Sequence, residues 1–428
     1  MPAGCIINPN STEQVAMAIQ ILNRFQTKFA VRSGGHNYNP GFAGIGGSGV
    51  LISLSELNTI QPSQDLSSVT VGPGNKWEDV YGALVPLGVE VVGGRVGPVG
   101  VGGLILSGGL SYLPSRNGLA LDNVKSFEVV LANGSIVTAN ATNAQADLYK
   151  ALRGGGSNFG IVTNYELYTQ PTGTYQFDPR AYAPNLTTAF FDAFTEYQAQ
   201  GQLDTNSNIV VQVLETGPTL LMLYNGTETN TTAFAPFLAL EPYTAIVPPS
   251  SGSLLDVLAL SNSRFPTGDI RVQGETWSHL TDASLLNDLY EIWVNATTSL
   301  PANSTAVWVP NPISGNVATV GQQYGGNLLS LTAQAQVWYE SYILYSDAAD
   351  DATVQQITEQ VTAQCIAAAQ AKGLYLPFLF ANTAGADQQV LQSYGSDSVS
   401  YMKTVAAKYD PSGVFQQLQN DGFLLRDT

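Results

Sequence analysis

Three observations predict an α+β fold built in two parts. Strand-length apolar runs and helical spacings are mixed in order along the chain rather than segregated into a bundle. Composition shifts at Gln170-Pro-Thr-Gly173: glycine-rich loops recur before it, and from there to about Phe378 they thin out while aromatics gather. A last helical pattern then closes at Asp410-Pro411. Residues 1–172 are read as the N-terminal part of a first domain. Residues 173–378 form a second domain in which a sheet is covered by helices, and 379–428 return to the first.

The elements follow in order. Ser11-Thr-Glu-Gln14 is a capping-box pattern, and Val15, Ile19 and Leu22 come at helical spacing, so a helix is predicted over Thr12–Phe25. A strand at Phe29–Val31 enters a Gly-Gly loop and Val50–Leu54 leaves it. Trp77, Val80, Tyr81 and Leu84 mark a second amphipathic helix. Val124–Leu131 and Ser135–Ala139 flank Asn133-Gly134, a hairpin signal, because that dipeptide tolerates the positive φ of a two-residue turn. Asp147–Leu152 reads as a short helix stopped by Gly154-Gly-Gly, with Phe159–Leu167 as the next strand. Beyond the shift, Ile209–Leu214, Thr219–Tyr224, Ala306–Val309 and Ala333–Tyr345 read as strands, and Asp282–Trp293 and Ala352–Lys372 as helices. Val399, Met402, Val405, Ala406 and Tyr409 mark the closing helix.

Composition narrows the function. At 428 residues the chain can form two sizeable cores. The apolar stretches, such as Val99–Leu106, are too short and glycine-rich to cross a bilayer. A net charge of −17 argues against nucleic acid and anionic membranes, whose phosphates would repel it. Cys5 and Cys365 are too few for a disulfide framework, and His36 and His279 leave little for a zinc site, so no metal is expected. Asn-X-Ser/Thr sequons stand at Asn10, Asn133, Asn140, Asn185, Asn225, Asn230, Asn295 and Asn303, an excess that leans toward a secreted glycoprotein. Met1–Ile6 shows no signal peptide.

The most informative stretch is Val31-Arg-Ser-Gly-Gly-His36. Glycines after an apolar run let backbone N–H groups turn toward an anion, a nest suited to a pyrophosphate. Further segments follow in order: Gly93-Gly-Arg-Val-Gly-Pro-Val-Gly-Val-Gly-Gly103, Ser115-Arg-Asn-Gly-Leu-Ala-Leu-Asp-Asn-Val124 and Leu152-Arg-Gly-Gly-Gly-Ser-Asn-Phe-Gly-Ile-Val-Thr163. Near the end come Phe380-Ala-Asn382, Ser393-Tyr394-Gly395 and Tyr409-Asp-Pro-Ser-Gly-Val-Phe415. Together these resemble the FAD-linked oxidases of the vanillyl-alcohol oxidase / berberine bridge enzyme-like family, over nearly the whole chain. Gly44-Ile-Gly-Gly-Ser-Gly49 fits G-x-G-x-x-G, but a strand follows it rather than a helix, so a Rossmann fingerprint is rejected. No P-loop and no G-x-S-x-G occurs.

The resemblance implies a two-part, PCMH-type FAD-binding domain (1–172 with 379–428) around a substrate domain (173–378). It implies FAD bonded covalently through His36. The second loop places Val96 where many relatives have a second, cysteinyl link, so a single linkage is expected. Val99 falls where a residue of that size goes with oxidases and a bulkier leucine with dehydrogenases. The cofactor contacts implied are Arg32, Ser33, Gly34, Gly35, His36 and Asn37; Val96, Val99, Gly100, Val101 and Gly103; Asp122; and Gly155, Gly156, Asn158, Gly160, Ile161 and Val162.

Asn382 matches an asparagine near the flavin, but Thr383 stands where relatives carry a tyrosine, so a catalytic base must come from elsewhere. Tyr339, Glu340, Tyr342 and Tyr345 alternate along one predicted strand, and only one parity can face the site. Tyr339 and Tyr345 join Asn382 as the catalytic candidates. Relatives also carry a preceding segment whose cysteine pairs with the one matching Cys5, so the chain is read as starting late. The function expected is a secreted, monomeric oxidase. It would move hydride from an alcohol, sugar or secondary metabolite to flavin and reduce molecular oxygen to hydrogen peroxide. Two alternatives stand beside it: a dehydrogenase of the same fold using another acceptor, and a catalytically idle binding glycoprotein.

Overall fold

The computed structural model describes residues 3–227, 231–263 and 270–428, so the sequon at Asn230 lies outside the described residues. Helices and sheets are mixed as the sequence predicts, in three sheets. The first is small and parallel: Val50–Ser53 lies between Cys5–Ile7 and Phe29–Arg32. The second is built around the long strand Ile161–Pro171. Its neighbours are Ser68–Val71 and Val124–Val130, and Val89–Val91 pairs with its far end. The predicted hairpin forms as Val124–Val130 with Ile136–Asn140.

The third sheet spans Tyr175 to Leu376 and is antiparallel. Its central strands are Gly217–Asn225, Ser207–Leu214, Thr305–Ile313 and Gln336–Tyr345, with Arg271–Glu275 along the outer half of the last. Helices Thr187–Ala199, Ala283–Thr297 and Asp351–Ala371 cover one face. There Phe190, Phe194, Leu286, Trp293, Val354 and Cys365 pack on Ile209, Val211, Trp308, Val337, Tyr339 and Ile343. Side chains alternate across a strand, so Trp338, Glu340, Tyr342 and Leu344 face the other way, toward the first two sheets. Trp338 packs there against Phe378 and Phe380, at 4.6 and 5.0 Å between ring centroids.

The closing segment docks on the first part through specific bonds. Helix Ser396–Tyr409 lays Tyr409 Oη and Lys408 Nζ on the Asp147 carboxylate at 2.7 and 2.6 Å. Asp410 accepts the Val414 and Phe415 N–H groups at 2.8 Å, turning the chain. Phe29 N–H then bonds Leu418 O at 2.9 Å and Asn420 N–H bonds Phe29 O at 2.7 Å, a one-residue extension of the parallel sheet. Cys5 is exposed and Cys365 buried, both unpaired.

Candidate active site

One cavity of about 740 Å³ opens between the glycine loops and the sheet's free face. That volume lies within the roughly 300–1,000 Å³ usual for ligand and cofactor sites. The strand Phe29–Arg32 delivers Ser33, Gly34, Gly35 and His36 to its wall. Arg32 points away and donates to Ala43 O at 2.8 Å, closing the loop behind it. Gly35 has φ +69°, which only glycine adopts without strain. The second loop meets the first glycine to glycine. A Cβ on Gly34 would lie 2.5 Å from Gly100 Cα, and one on Gly100 would lie 2.5 Å from Gly34 N. Ser33 Oγ accepts the Gly102 N–H at 3.2 Å and fixes the pair. Val96, Val99 and Gly103 line the cavity beside them.

His36 is exposed to the cavity, yet burial among the loops and the positive charge of Lys76 both hold its imidazole below the ordinary pKa. A neutral ring keeps a nitrogen lone pair. At the other end the third loop contributes Gly154, Gly156, Gly160, Ile161 and Val162, and the chain's last turn adds Gln419, Asp421, Gly422 and Phe423.

Several expected contacts sit behind this wall instead of on it. Val101 is fully buried in the helix Val101–Ser107 and Gly155 packs against Ala151 O and Phe159. Asn158 spends its amide on Gly155 O, Phe423 O, the Leu425 N–H and Gln416, stitching the chain's end onto the third loop. Asp122 is corrected most clearly. It is wholly buried 2.9 Å from Arg153, and also accepts from Asn327 and the Leu119 N–H. Arg153 in turn holds Tyr324 O and Gly326 O, so the pair ties the loop at 324–326 to the third glycine loop.

The catalytic candidates are corrected as well. Tyr339 and Tyr345 have the parity of the helix-covered face. Tyr339 is stacked between Trp277 and Trp308, with its hydroxyl 2.9 Å from His279 Nε2. Tyr345 Oη donates to Asp351 at 2.8 Å. The strand's cavity-facing side chains are Glu340, Tyr342 and Leu344, with Ser341 between them also on the lining. Asn382 does reach the cavity, but its amide accepts the Gly109 N–H at 3.0 Å and donates to Leu104 O at 3.1 Å, so it anchors the second loop. Sequence reasoning passed over Arg95, the lone charge in the second glycine loop. It bonds Asn311 Oδ1 at 3.0 Å and Glu340 Oε1 at 3.3 Å. Burial and the Glu340 charge push the Tyr342 phenol above its ordinary pKa.

Two observations fit the cavity to a large nucleotide cofactor. A Cβ on Gly103 meets no protein atom within 4 Å, so the wall there is bare backbone facing open space. Gln419 is buried, with Nε2 on Ser157 Oγ at 2.7 Å and Oε1 without a partner among the described residues, an acceptor left for a ligand donor.

Fold and site define an FAD-dependent oxidoreductase. Residues 3–140 match the family model described as an FAD binding domain. An FAD-dependent monooxygenase of Arthrobotrys oligospora is 41% identical over 98% of this chain and 82% of its own length. The FAD-dependent monooxygenase macF of Penicillium terrestre is 40% identical over 99% and 82%. Chitooligosaccharide oxidase shares the fold at TM-score 0.83 and 17% identity, covering 99% of this chain and 93% of that one. Glucooligosaccharide oxidase from Acremonium strictum, a protein with a 6-S-cysteinyl, 8α-N1-histidyl FAD, does so at 0.82 and 18%, covering 98% and 92%. The chain belongs to the FAD-linked oxidoreductases of the vanillyl-alcohol oxidase / berberine bridge enzyme-like family.

Proposed function

We propose that this protein is an oxidase that removes hydride and a proton from a C–H/O–H pair of a small-molecule alcohol and passes the electrons to molecular oxygen, with FAD bonded through His36 alone. One observation carries the reading. The His36 loop, the Val96–Gly103 loop and the Glu340–Tyr342 strand face converge on a single cavity. Bound FAD supplies the two-electron acceptor, which dioxygen restores with release of hydrogen peroxide. His36, kept neutral, presents its nitrogen from a loop pinned against Gly100, and Val96 offers no thiol for a second link. Glu340 is the proton acceptor, with Arg95 and Asn311 holding one carboxylate oxygen and orienting the other. Tyr342 keeps its proton and donates a hydrogen bond to the substrate oxygen. These two replace Tyr339 and Tyr345 in the mechanism.

The chain is further read as a secreted, monomeric glycoprotein. Asn10, Asn133, Asn185, Asn295 and Asn303 are exposed and open to modification. One intact-mass spectrum tests both points. It should show a single FAD adduct on the peptide containing His36, together with mass lost on endoglycosidase treatment. His36→Ala should release FAD on acid precipitation. Flavin that stays acid-stable in His36→Ala would refute the attachment. The names of the 40–41% identical relatives favour a second reading, oxygen insertion. Turnover under ¹⁸O₂ separates the two: label in peroxide supports the oxidase, label in product the monooxygenase.

A further inference from the structure

We infer that the substrate half of the cavity takes a molecule with a largely apolar body and a single neutral hydroxyl at its reacting end, not an oligosaccharide. The inference rests on the FAD-oxidase reading and narrows its substrate. Val272 sits opposite Leu344 in the strand pair, and both line the cavity with Ile270. None of the three has a hydrogen-bonding side-chain atom. The polar side chains nearest them spend their donors on protein. Tyr38 Oη donates to Thr383 O at 2.6 Å and Thr383 Oγ1 to Phe380 O at 3.4 Å. Asn382 spends both ends of its amide on the second loop.

On the cavity-facing side of the strand Gln336–Tyr345 two polar atoms are left. The Tyr342 hydroxyl lines the cavity and makes no hydrogen bond among the described residues, and Glu340 Oε2 is open because both bonds to that carboxylate go to Oε1. Two residues apart on a strand, they share one face at about 7 Å between Cα atoms. Such a pair can hold one hydroxyl, as donor to Glu340 and acceptor from Tyr342. Each further hydroxyl of a sugar laid against Val272 or Leu344 would lose water without gaining a partner, a loss of roughly tenfold in affinity apiece. A carboxylate head is also disfavoured, because Glu340 already neutralises Arg95, the one Lys or Arg lining the cavity among the described residues.

The test titrates flavin-loaded protein with cinnamyl alcohol, cinnamate and cellobiose, following visible flavin absorbance and, in parallel, calorimetric heat. Cinnamyl alcohol should bind at least tenfold more tightly than either of the others. Leu344→Asn, which places an amide on the apolar wall, should shrink its advantage over cellobiose several-fold. Cellobiose or cinnamate binding as tightly as the alcohol, or no binding of the alcohol, overturns the inference, and that comparison needs no variant to fold. The calorimetric arm separates the two readings. Alcohol binding to a protein that carries no FAD would refute the cofactor reading while upholding the apolar wall. A flavin-loaded protein that prefers cellobiose would refute this inference alone.

Discussion

Gly103→Ala isolates what the cofactor contributes to this cavity from what the fold does. Gly103 lies inside the helix Val101–Ser107 and its φ is not positive, so alanine suits the backbone. An added Cβ meets nothing within 4 Å. In the empty protein the change should therefore stabilise, by about 0.5–1 kcal/mol of helix propensity. Gly82, in the helix Trp77–Leu84, has the same credentials, with open space around its Cβ, but does not line the cavity. Gly82→Ala thus serves as the matched control. The difference appears when FAD is present. If the bare wall at Gly103 is where the cofactor lies, the new methyl occupies its volume, and overpacking of that size costs about 1–3 kcal/mol. That corresponds to a five- to about 150-fold loss of FAD affinity. The measurement is made in a His36→Ala background, where flavin can be removed and titrated back, with urea unfolding of the apoprotein alongside. Gly82→Ala should leave the FAD dissociation constant alone. Equal FAD affinity in Gly103→Ala and Gly82→Ala would refute the placement of the cofactor.

Two further outcomes are expected. Val99→Leu, on the cavity wall, should slow reoxidation of the reduced protein by oxygen at least about tenfold while substrate reduction is unchanged, because a single methylene is tolerated by the core but not by a narrow path; stopped-flow traces that match wild type would reduce Val99 to packing. His279 is fully buried, its Nδ1 at 2.6 Å from Leu280 O and its Nε2 at 2.9 Å from Tyr339 Oη, and burial pushes its pKa down to about 4. The unfolded chain, near 6.5, takes up the proton first. The stability His279 provides is therefore whole above about pH 6.5 and is lost as pH falls toward 4, on the order of 2–3 kcal/mol of it between pH 7 and 4.5. His279→Gln should be less stable at pH 7 and should flatten the pH dependence of the urea midpoint by that amount; an unchanged slope would show that other groups set it.

Much of this architecture is legible in local sequence, for physical reasons that also mark where reading stops. The helix predicted over Thr12–Phe25 forms as Thr12–Arg24 because a cap and an apolar stripe are both local signals. The loops were readable because positive φ favours glycine, as at Gly35, and because a Cβ on Gly34 would come within 2.5 Å of Gly100 backbone. The helix Thr187–Ala199 went unread: Phe190, Phe191, Phe194 and Tyr197 bury more than one stripe, which blurs the period. Parity along Gln336–Tyr345 was the decisive gap. Tyrosines occur on both faces of that strand, and only the helices packed on Tyr339 and Tyr345 reveal that Glu340 and Tyr342 turn to the cavity. Asp122 matched its motif yet proved a structural anchor, because its partner Arg153 lies 31 residues away and the loop they hold lies farther still.

The stitching of the closing segment has a consequence for how the protein is made. Asn420 bonds Gly41 O across 379 residues, Asn158 holds Phe423 and Leu425, and Gln419 completes the cavity wall. A nascent chain that had left the ribosome as far as Phe378 would carry His36, Gly100, Gly103, Gly156 and every apolar residue of the substrate wall, yet one end of the cavity would lie open to water. The cavity is thus walled at that end only once residues 419–423 have docked, and a chain cut before them should hold FAD more weakly than the full chain.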